Sequence, residues 1–412
     1  MSIDVKMAWR NIWRNPRRTI LTVSAITFAS AILVFMLSWQ LGSYETMINA
    51  SVKIHTGHLQ IQAEGYQDKR SIRLVVSDPA AVGAILEDDP LVAAYTYRAQ
   101  AFSLISSEER TQGALVVGID PEREAEVSTL DDVIREGTYL AGNDGQGALL
   151  GFLLADSLKV KLGDELAVLG QGRDGSVAAT IVNVRGIYRS GLDEFDRSSL
   201  QITLDNFQEV YFMRGAVHEV VAIADSLGAV SAVKAHVSEG IRDLDLKPPL
   251  VALDWTELTP GLLQAIKLDL ISGMIFYLIL IMVVAFSILN TFLMAIFERT
   301  KEFGVLMALG TSPARLTKIL LIESGSMTLF GIAAGILVGS LVTLYFSAHG
   351  IEFTGASEIM RQWGISGTMY PRLSLISAVT GPALVFLITF LAALYPALKI
   401  RRLRPVEAMA HV

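Results

Sequence analysis

Four stretches are long and apolar enough to cross a bilayer, and they decide what this chain can fold into. They cover residues 19–41, 268–297, 319–346 and 373–398, and crossing a bilayer needs about 20 residues at a rise of about 1.5 Å each. The first and fourth carry no charge, the second has one acid, Asp269, at its outer end, and the third has Glu323 within its first turns. With 52% hydrophobic and 18% charged residues, the 412-residue chain is a membrane protein by composition, not a disordered or collagen-like one. Cysteine is absent, which excludes a disulfide framework, a thiolate zinc site and a cysteine nucleophile. The first stretch follows Arg17 and Arg18 as a secretory signal would. However, it is longer than an h-region of about 7–15 residues and no small-x-small site closes it, so it reads as a retained span.

Charge sets the orientation. Residues 1–18, 298–318 and the tail after residue 398 together hold 13 basic and 4 acidic side chains, whereas residues 45–267 hold 19 basic and 33 acidic. Lysine and arginine in short loops stay on the cytoplasmic side, so both termini and the 298–318 loop are expected in the cytoplasm and the large acidic segment outside it. A formal net charge of −7 and this distribution leave no nucleic-acid surface.

The outer segment has the size of a domain. Strand-like alternation runs through residues 58–63, parts of 177–184, and 199–203, and buried strands are expected at 115–119 and 220–224. Helical patterns fall at 79–88, at 152–158 after Gly151, at 206–213 behind Asp205 as N-cap, and at 226–244. Interleaved strands and helices predict an α/β or α+β domain, and Lys247-Pro248-Pro249 is the expected hinge back to the membrane.

Several patterns in this segment look chemical and read better as structure. Gly170, Gly172 and Gly175 spell G-x-G-x-x-G but stand between two strand patterns without the helix a dinucleotide cradle needs, so a hairpin turn is expected. His55 and His58 have no carboxylate or thiolate partners nearby in sequence, and the acidic pairs Asp88-Asp89, Glu108-Glu109 and Asp131-Asp132 read as solvated surface. No Walker A motif occurs, so ATP is not bound here by that device.

Two motifs border the spans on the basic side. Val5, Trp9, Ile12 and Trp13 share one helical face while Lys6, Arg10 and Arg14 follow at i+4, which describes an interfacial helix that Pro16 turns into the first span; a plain basic flank needs only the charges. Between spans two and three, Phe303, Leu306, Met307 and Leu309 form an apolar stripe that Gly310 and Pro313 close. Such a stripe suits docking into a partner's groove, or packing back onto the chain's own spans.

The stretch ERTKEFGVLMALGTSPARL resembles the signature between the second and third spans of FtsX-like permeases, the membrane subunits of mechanotransmitting ABC transporters. AWRNIWRNPRRTILT at the start and YPALKIRRLRPVEAM at the end are similar to that family's terminal signatures. Within it, GHLQIQAEGY, VGIDPERE and SGLDEFDRSSLQITL resemble the lipoprotein-releasing branch most.

The resemblance implies a fold of four transmembrane helices plus a large α+β domain of the MacB-type periplasmic core, inserted between helices 1 and 2. The chain then divides into an amphipathic helix 1–18, spans at 19–44, 266–297, 318–347 and 373–398, a periplasmic domain 45–265, a coupling helix and turn 298–317, an outer loop 348–372 and a cytoplasmic tail 399–412. It also implies an inner-membrane permease that is not itself an enzyme. Extraction and release of outer-membrane-directed lipoproteins is the expected work, and the scaffold that controls wall hydrolases and efflux coupling are the alternatives.

Implied partners are a dimer of cytoplasmic ATPases that bind ATP and magnesium, a second permease, a lipid-anchored substrate and a periplasmic carrier. Glu298, Arg299, Lys301, Glu302, Phe303, Gly304, Leu306 and Gly310 would couple to the ATPase, and cargo would enter between spans one and two. Leu37, Leu41, Met274 and Tyr277 are placed in that cavity by their position in the outer halves of the spans alone. One departure stands out. In that branch one permease carries an extended hook that recruits the carrier, but here the hairpin is only residues 170–176, so this chain is the partner without the hook, recruits differently, or takes another cargo.

Gly331, Gly335 and Gly339 recur every four residues, a ridge for close helix packing within the chain or against a second permease. Glu323 should face the bundle or the boundary, with Arg315 or Lys318 as its expected partner. No metal site is expected.

Overall fold

The computed structural model describes residues 3–352 and 368–399; the tail from residue 400 on and most of the 348–372 loop lie outside them. Two compact units emerge, one of the terminal and membrane-type helices, the other of residues Glu45–Ala265 together with a stretch outside the described residues.

In the first unit, the helix Ile3–Arg14 is followed by four helices long and apolar enough to cross a membrane. These are span one (Pro16–Ser51), span two (Pro260–Glu298), span three (Pro313–His349) and span four (Leu375–Lys399). Three of them begin at proline, whose missing N–H costs nothing at a helix start. Helix is the form that satisfies every backbone group within one segment in lipid. The bundle core joins Ile26 and Leu33 of span one, Ile281 and Ile288 of span two, Met327 of span three and Val385 of span four. The outward faces stay apolar, as at Leu268, Ile279, Leu341 and Leu387.

The glycine ridge packs inside the chain. A Cβ on Gly331 would stand 2.7 Å from the Ile26 side chain, one on Gly335 2.4 Å from Ser30 Cβ, and one on Gly339 2.8 Å from the Ala31 carbonyl oxygen. Span three therefore lies directly against span one, and Thr27 donates across the contact to the Gly331 carbonyl at 3.1 Å.

The second unit is built on a ten-stranded sheet, from β1 (Leu59–Ala63), β2 (Val92–Ser106), β3 (Thr111–Ile119), β4 (Ile134–Gly137), β5 (Gly147–Gly151), β6 (Glu165–Gln171), β7 (Val177–Tyr188), β8 (Ser199–Thr203), β9 (Glu219–Ala224) and β10 (Leu250–Asp254). Their order is β10-β1-β9-β2-β3-β8-β5-β7-β4, with β6 bridging β2 and β7. Pairing is mixed: β3–β8 and β5–β7 run parallel, the other pairs antiparallel. One core gathers Ile105, Val116, Leu150, Leu154, Val182 and Phe207; a second gathers Ile61, Val82, Leu86, Val220, Val233 and Val237 under the helices Pro79–Glu87 and Val230–Asp243. The glycine run is the turn between β6 and β7, where Gly172 N–H donates to Ser176 O at 2.9 Å and Gly175 takes φ +93°, a conformation glycine reaches freely.

Three local expectations need correction. The helix Leu204–Val210 is capped by Thr203, whose hydroxyl accepts from Asn206 N–H, instead of by Asp205, because β8 delivers the chain one turn earlier. The helix expected from 226 begins at Val230 and ends at Asp243, after a turn closed by Ala229 N–H on Ser226 O. Asp89 is buried and accepts from Leu91 N–H at 2.9 Å, so that acid shapes a turn instead of facing water.

Candidate functional site

The short helix Thr300–Ala308 lies between spans two and three. Phe303 and Met307 of the expected docking stripe point inward, packing with Ile296, Leu316 and Leu320, and Leu306 is half-buried beside them. Except at Leu309, which is exposed, the stripe thus follows the second of its two sequence readings and clamps the helix to its own spans. Gly304 is buried in the same contact. The open face is another one: Lys301, Val305, Ala308 and Leu309, at i, i+4, i+7 and i+8, are exposed, Val305 by 50% and Leu309 by 78%. Val305 went unnoticed in the sequence because a helix with two apolar stripes does not say which is covered. Gly310 closes the helix at φ +95°.

Beneath that helix sits a charge junction. Glu323 is 2% exposed and receives Arg299 Nη1 at 3.2 Å, while Arg18 stands 3.7 Å away. Its expected partners are engaged elsewhere: Arg315 and Lys318 both reach Asp4 of the N-terminal helix, at 2.9 and 3.8 Å. Arg299 and Arg18 reach the buried Glu323, whereas Arg315 and Lys318 are exposed and turn to Asp4. Arg14 bonds Glu302, whose carboxyl is held below the usual carboxylate range first by that hydrogen bond. Arg18 also faces Glu298 at 3.7 Å. The junction therefore ties together the N-terminal helix, span one, the short helix and span three. Of the N-terminal face, Ile12 is buried, and Trp9 and Trp13 are exposed and edge-packed at 6.2 Å, with Trp9 also 5.6 Å from Phe330.

At the other end of spans one and two, a cleft of about 380 Å³ is lined by Gln40, Tyr44, Asp269 and Tyr277 together with the apolar Met36, Trp39 and Phe276. Tyr44 donates to Asp269 Oδ2 at 2.6 Å, Gln40 Nε2 reaches the same oxygen at 3.2 Å, and Tyr277 donates to Gln40 Oε1 at 3.1 Å. Gly273 leaves the room Gln40 occupies. Of the four residues placed in this region from the sequence, Tyr277 lines the cleft; Leu37 packs toward Gly381 of span four, and Leu41 and Met274 are exposed on their helices outside it.

The outer unit holds a buried polar network that sequence pattern did not reveal. Arg98, 1% exposed, grips Glu124 through Nη2–Oε1 at 2.6 Å and Nε–Oε2 at 3.0 Å and donates to the His55 carbonyl. Gln100 donates to Glu219 at 2.8 Å, and Arg70 does so at 3.3 Å. Burial raises Glu219's pKa and lowers that of His55. His58 accepts from Ala224 N–H at 3.1 Å, a structural role. Among the described residues no group of three or more His, Asp or Glu is placed to hold a metal.

The family model described as "MacB-like periplasmic core domain" matches residues 19–239, and that described as "FtsX-like permease C-terminal" matches residues 274–405. The lipoprotein-releasing system transmembrane protein LolC of Xylella fastidiosa is 24% identical over 86% of this chain and 84% of its own. The macrolide export ATP-binding/permease protein MacB of Wolinella succinogenes is 22% identical over 98% of this chain and 60% of its own. The periplasmic region of MacB from Actinobacillus actinomycetemcomitans covers 53% of this chain and 95% of that one at 16% identity and a TM-score of 0.38, too low to add to the argument. With its four spans, and its α+β domain between the first two, the chain belongs to the FtsX-like ABC transporter permeases that carry a MacB-like periplasmic core domain.

Proposed function

We propose that this permease couples ATP hydrolysis on separate cytoplasmic ATPase subunits to the extraction and release of lipid-anchored proteins from the outer leaflet of the inner membrane. In this reading both termini and the short helix face the cytoplasm and the large domain faces the periplasm, as the basic flanks and acidic domain favour. Two ATPases, which carry the ATP and magnesium, dock on two permeases, this chain paired with itself or a sister. Lys301, Val305 and Leu309 form the docking face, flanked by Glu298, Glu302 and Gly310, while Phe303, Gly304 and Leu306 hold the helix against the spans.

The observation that carries this reading is the two-sided short helix: one apolar stripe is locked to spans two and three and another is left open, as a lever requires. The Glu323 junction passes its displacement to span one, which continues directly into the domain. Cargo enters beside the cleft closed by Tyr44 and Asp269. The substrate class is supported by the likeness to the lipoprotein-releasing relatives over most of both chains.

Efflux coupling is the second reading, favoured by the export relatives that span 98% of this chain. A photoreactive residue at Leu41 or Met274 of the assembled complex separates the two. Adducts to acylated proteins are expected; adducts to small molecules or soluble peptides alone would overturn lipoprotein release in favour of efflux.

A further inference from the structure

We infer that the groove between the start of span one and the end of span two is a binding site for one anionic glycerophospholipid. The groove measures about 780 Å³ and its chemistry changes along its length. Arg17 and Arg18 stand at one end beside Glu298, Asn290 lies further in, and Leu21 and Met294 line the wall, exposed by 72% and 58%.

Two observations point to an anionic ligand. Arg17 is exposed and joins none of the ion pairs that Arg14 and Arg18 make. Arg18 meets its two carboxylates only at 3.7 Å, and its Nη1 is buried without a hydrogen-bond acceptor. A buried guanidinium N–H normally has an acceptor, and a phosphate oxygen is a strong one.

A glycerophospholipid answers each of these needs. Its phosphodiester accepts from Arg17 and Arg18 at the mouth, and its acyl chains run inward along Leu21 and Met294. Arg14, Arg17, Arg18 and Arg299 against Glu298, Glu302 and Glu323 leave one net positive charge, which favours an anionic headgroup, and basic pockets between membrane helices are where such headgroups bind. The site rests on the orientation proposed above only for the leaflet, the cytoplasmic one; lipid occupancy is read independently of cargo or ATP turnover.

The test is native mass spectrometry of the purified full-length chain, titrated in detergent with phosphatidylglycerol, phosphatidylethanolamine or phosphatidylcholine, and separately with inorganic phosphate. One phosphatidylglycerol is expected to remain bound, with the other two lipids at least about fivefold weaker. Arg17→Gln should weaken it about fivefold, the value of one arginine near a headgroup. Arg17 is exposed, so its variant is expected to fold as the wild type does. Equal retention by wild type and Arg17→Gln, equal binding of the three lipids, or full competition by inorganic phosphate would each overturn the proposal. So would a variant that splits a dimer of the chain while lipid retention is unchanged, which would assign the groove to a second copy.

Discussion

Arg299 Nη1 lies 3.2 Å from Glu323 Oε2, with the two residues 9% and 2% exposed, so a charge pair is shut inside the junction between the short helix and span three. Removing one partner of a buried pair costs about 3–5 kcal/mol, because the other charge stays desolvated, whereas replacing both with apolar side chains costs far less. Glu323→Met and Arg299→Met should each lower the thermal midpoint of the detergent-solubilised permease by several degrees. Glu323→Met combined with Arg299→Met should lose less than the two single changes added. Strict additivity would mean the pair does not couple.

The hydrogen bond from Tyr44 to Asp269 makes a second, independent prediction. A hydrogen bond to a charged group contributes about 1.5–3 kcal/mol, or roughly a tenfold or larger shift in an opening equilibrium. With Ser43→Cys, partly buried in the cleft wall, as reporter, Tyr44→Phe should speed thiol labelling about tenfold. Labelling that does not change would show that these side chains do not hold spans one and two together.

Span three touches span one through glycine, and the contact leaves no room for more. A methyl on Gly335 would meet Ser30 Cβ at 2.4 Å and the Thr27 carbonyl at 2.8 Å, neither of which can swing away. Gly335→Ala should cost about 1–3 kcal/mol and Gly335→Leu more, read as a lowered thermal midpoint. Gly325, with nothing within 4 Å of its Cβ position, is the control in the same helix and should tolerate alanine.

The four spans and the α+β domain between the first two were legible in the sequence, because hydropathy over about 20 residues and period-two alternation are local signals. What was not legible is which side of an element is covered. Phe303 and Met307 look no different in sequence from Val305 and Leu309, yet the first two are sealed by Leu316 and Leu320 and the second two are open. Glu323 advertised itself as an acid in a span, but its partners come from residues 18 and 299, and only the bundle brings those together. Arg98 and Glu124 likewise look like surface charges until β2 and the helix Pro121–Val127 bury them against each other.

The outer domain should carry a pH dependence centred on His218. Its Nδ1 accepts from Gln100 N–H at 2.8 Å, its Nε2 faces the Ile72 carbonyl at 3.2 Å, and burial, with Arg173 and Arg70 nearby, lowers its pKa from 6.5 to about 4. The folded state therefore holds fewer protons than the unfolded state between those values. Stability is fully present above pH 6.5 and is lost as pH falls toward 4, by up to about 3 kcal/mol. Amide exchange along β2 near Gln100, corrected for the intrinsic effect of pH, should accelerate across that window, and the acceleration should shrink in His218→Gln, leaving the part carried by His55, whose pKa burial also lowers.

The central claim is that the exposed stripe of the short helix receives the ATPase and that its displacement drives the work above. The most direct measurement is ATP turnover of the reconstituted complex with and without cargo, for wild type and for Leu309→Asp and Val305→Asp, both on the open face and away from the buried clamp. The account predicts that the variants insert and fold normally, copurify with the ATPase at least about tenfold less, and lose cargo stimulation. Full ATPase association and unchanged stimulation in both variants would contradict it.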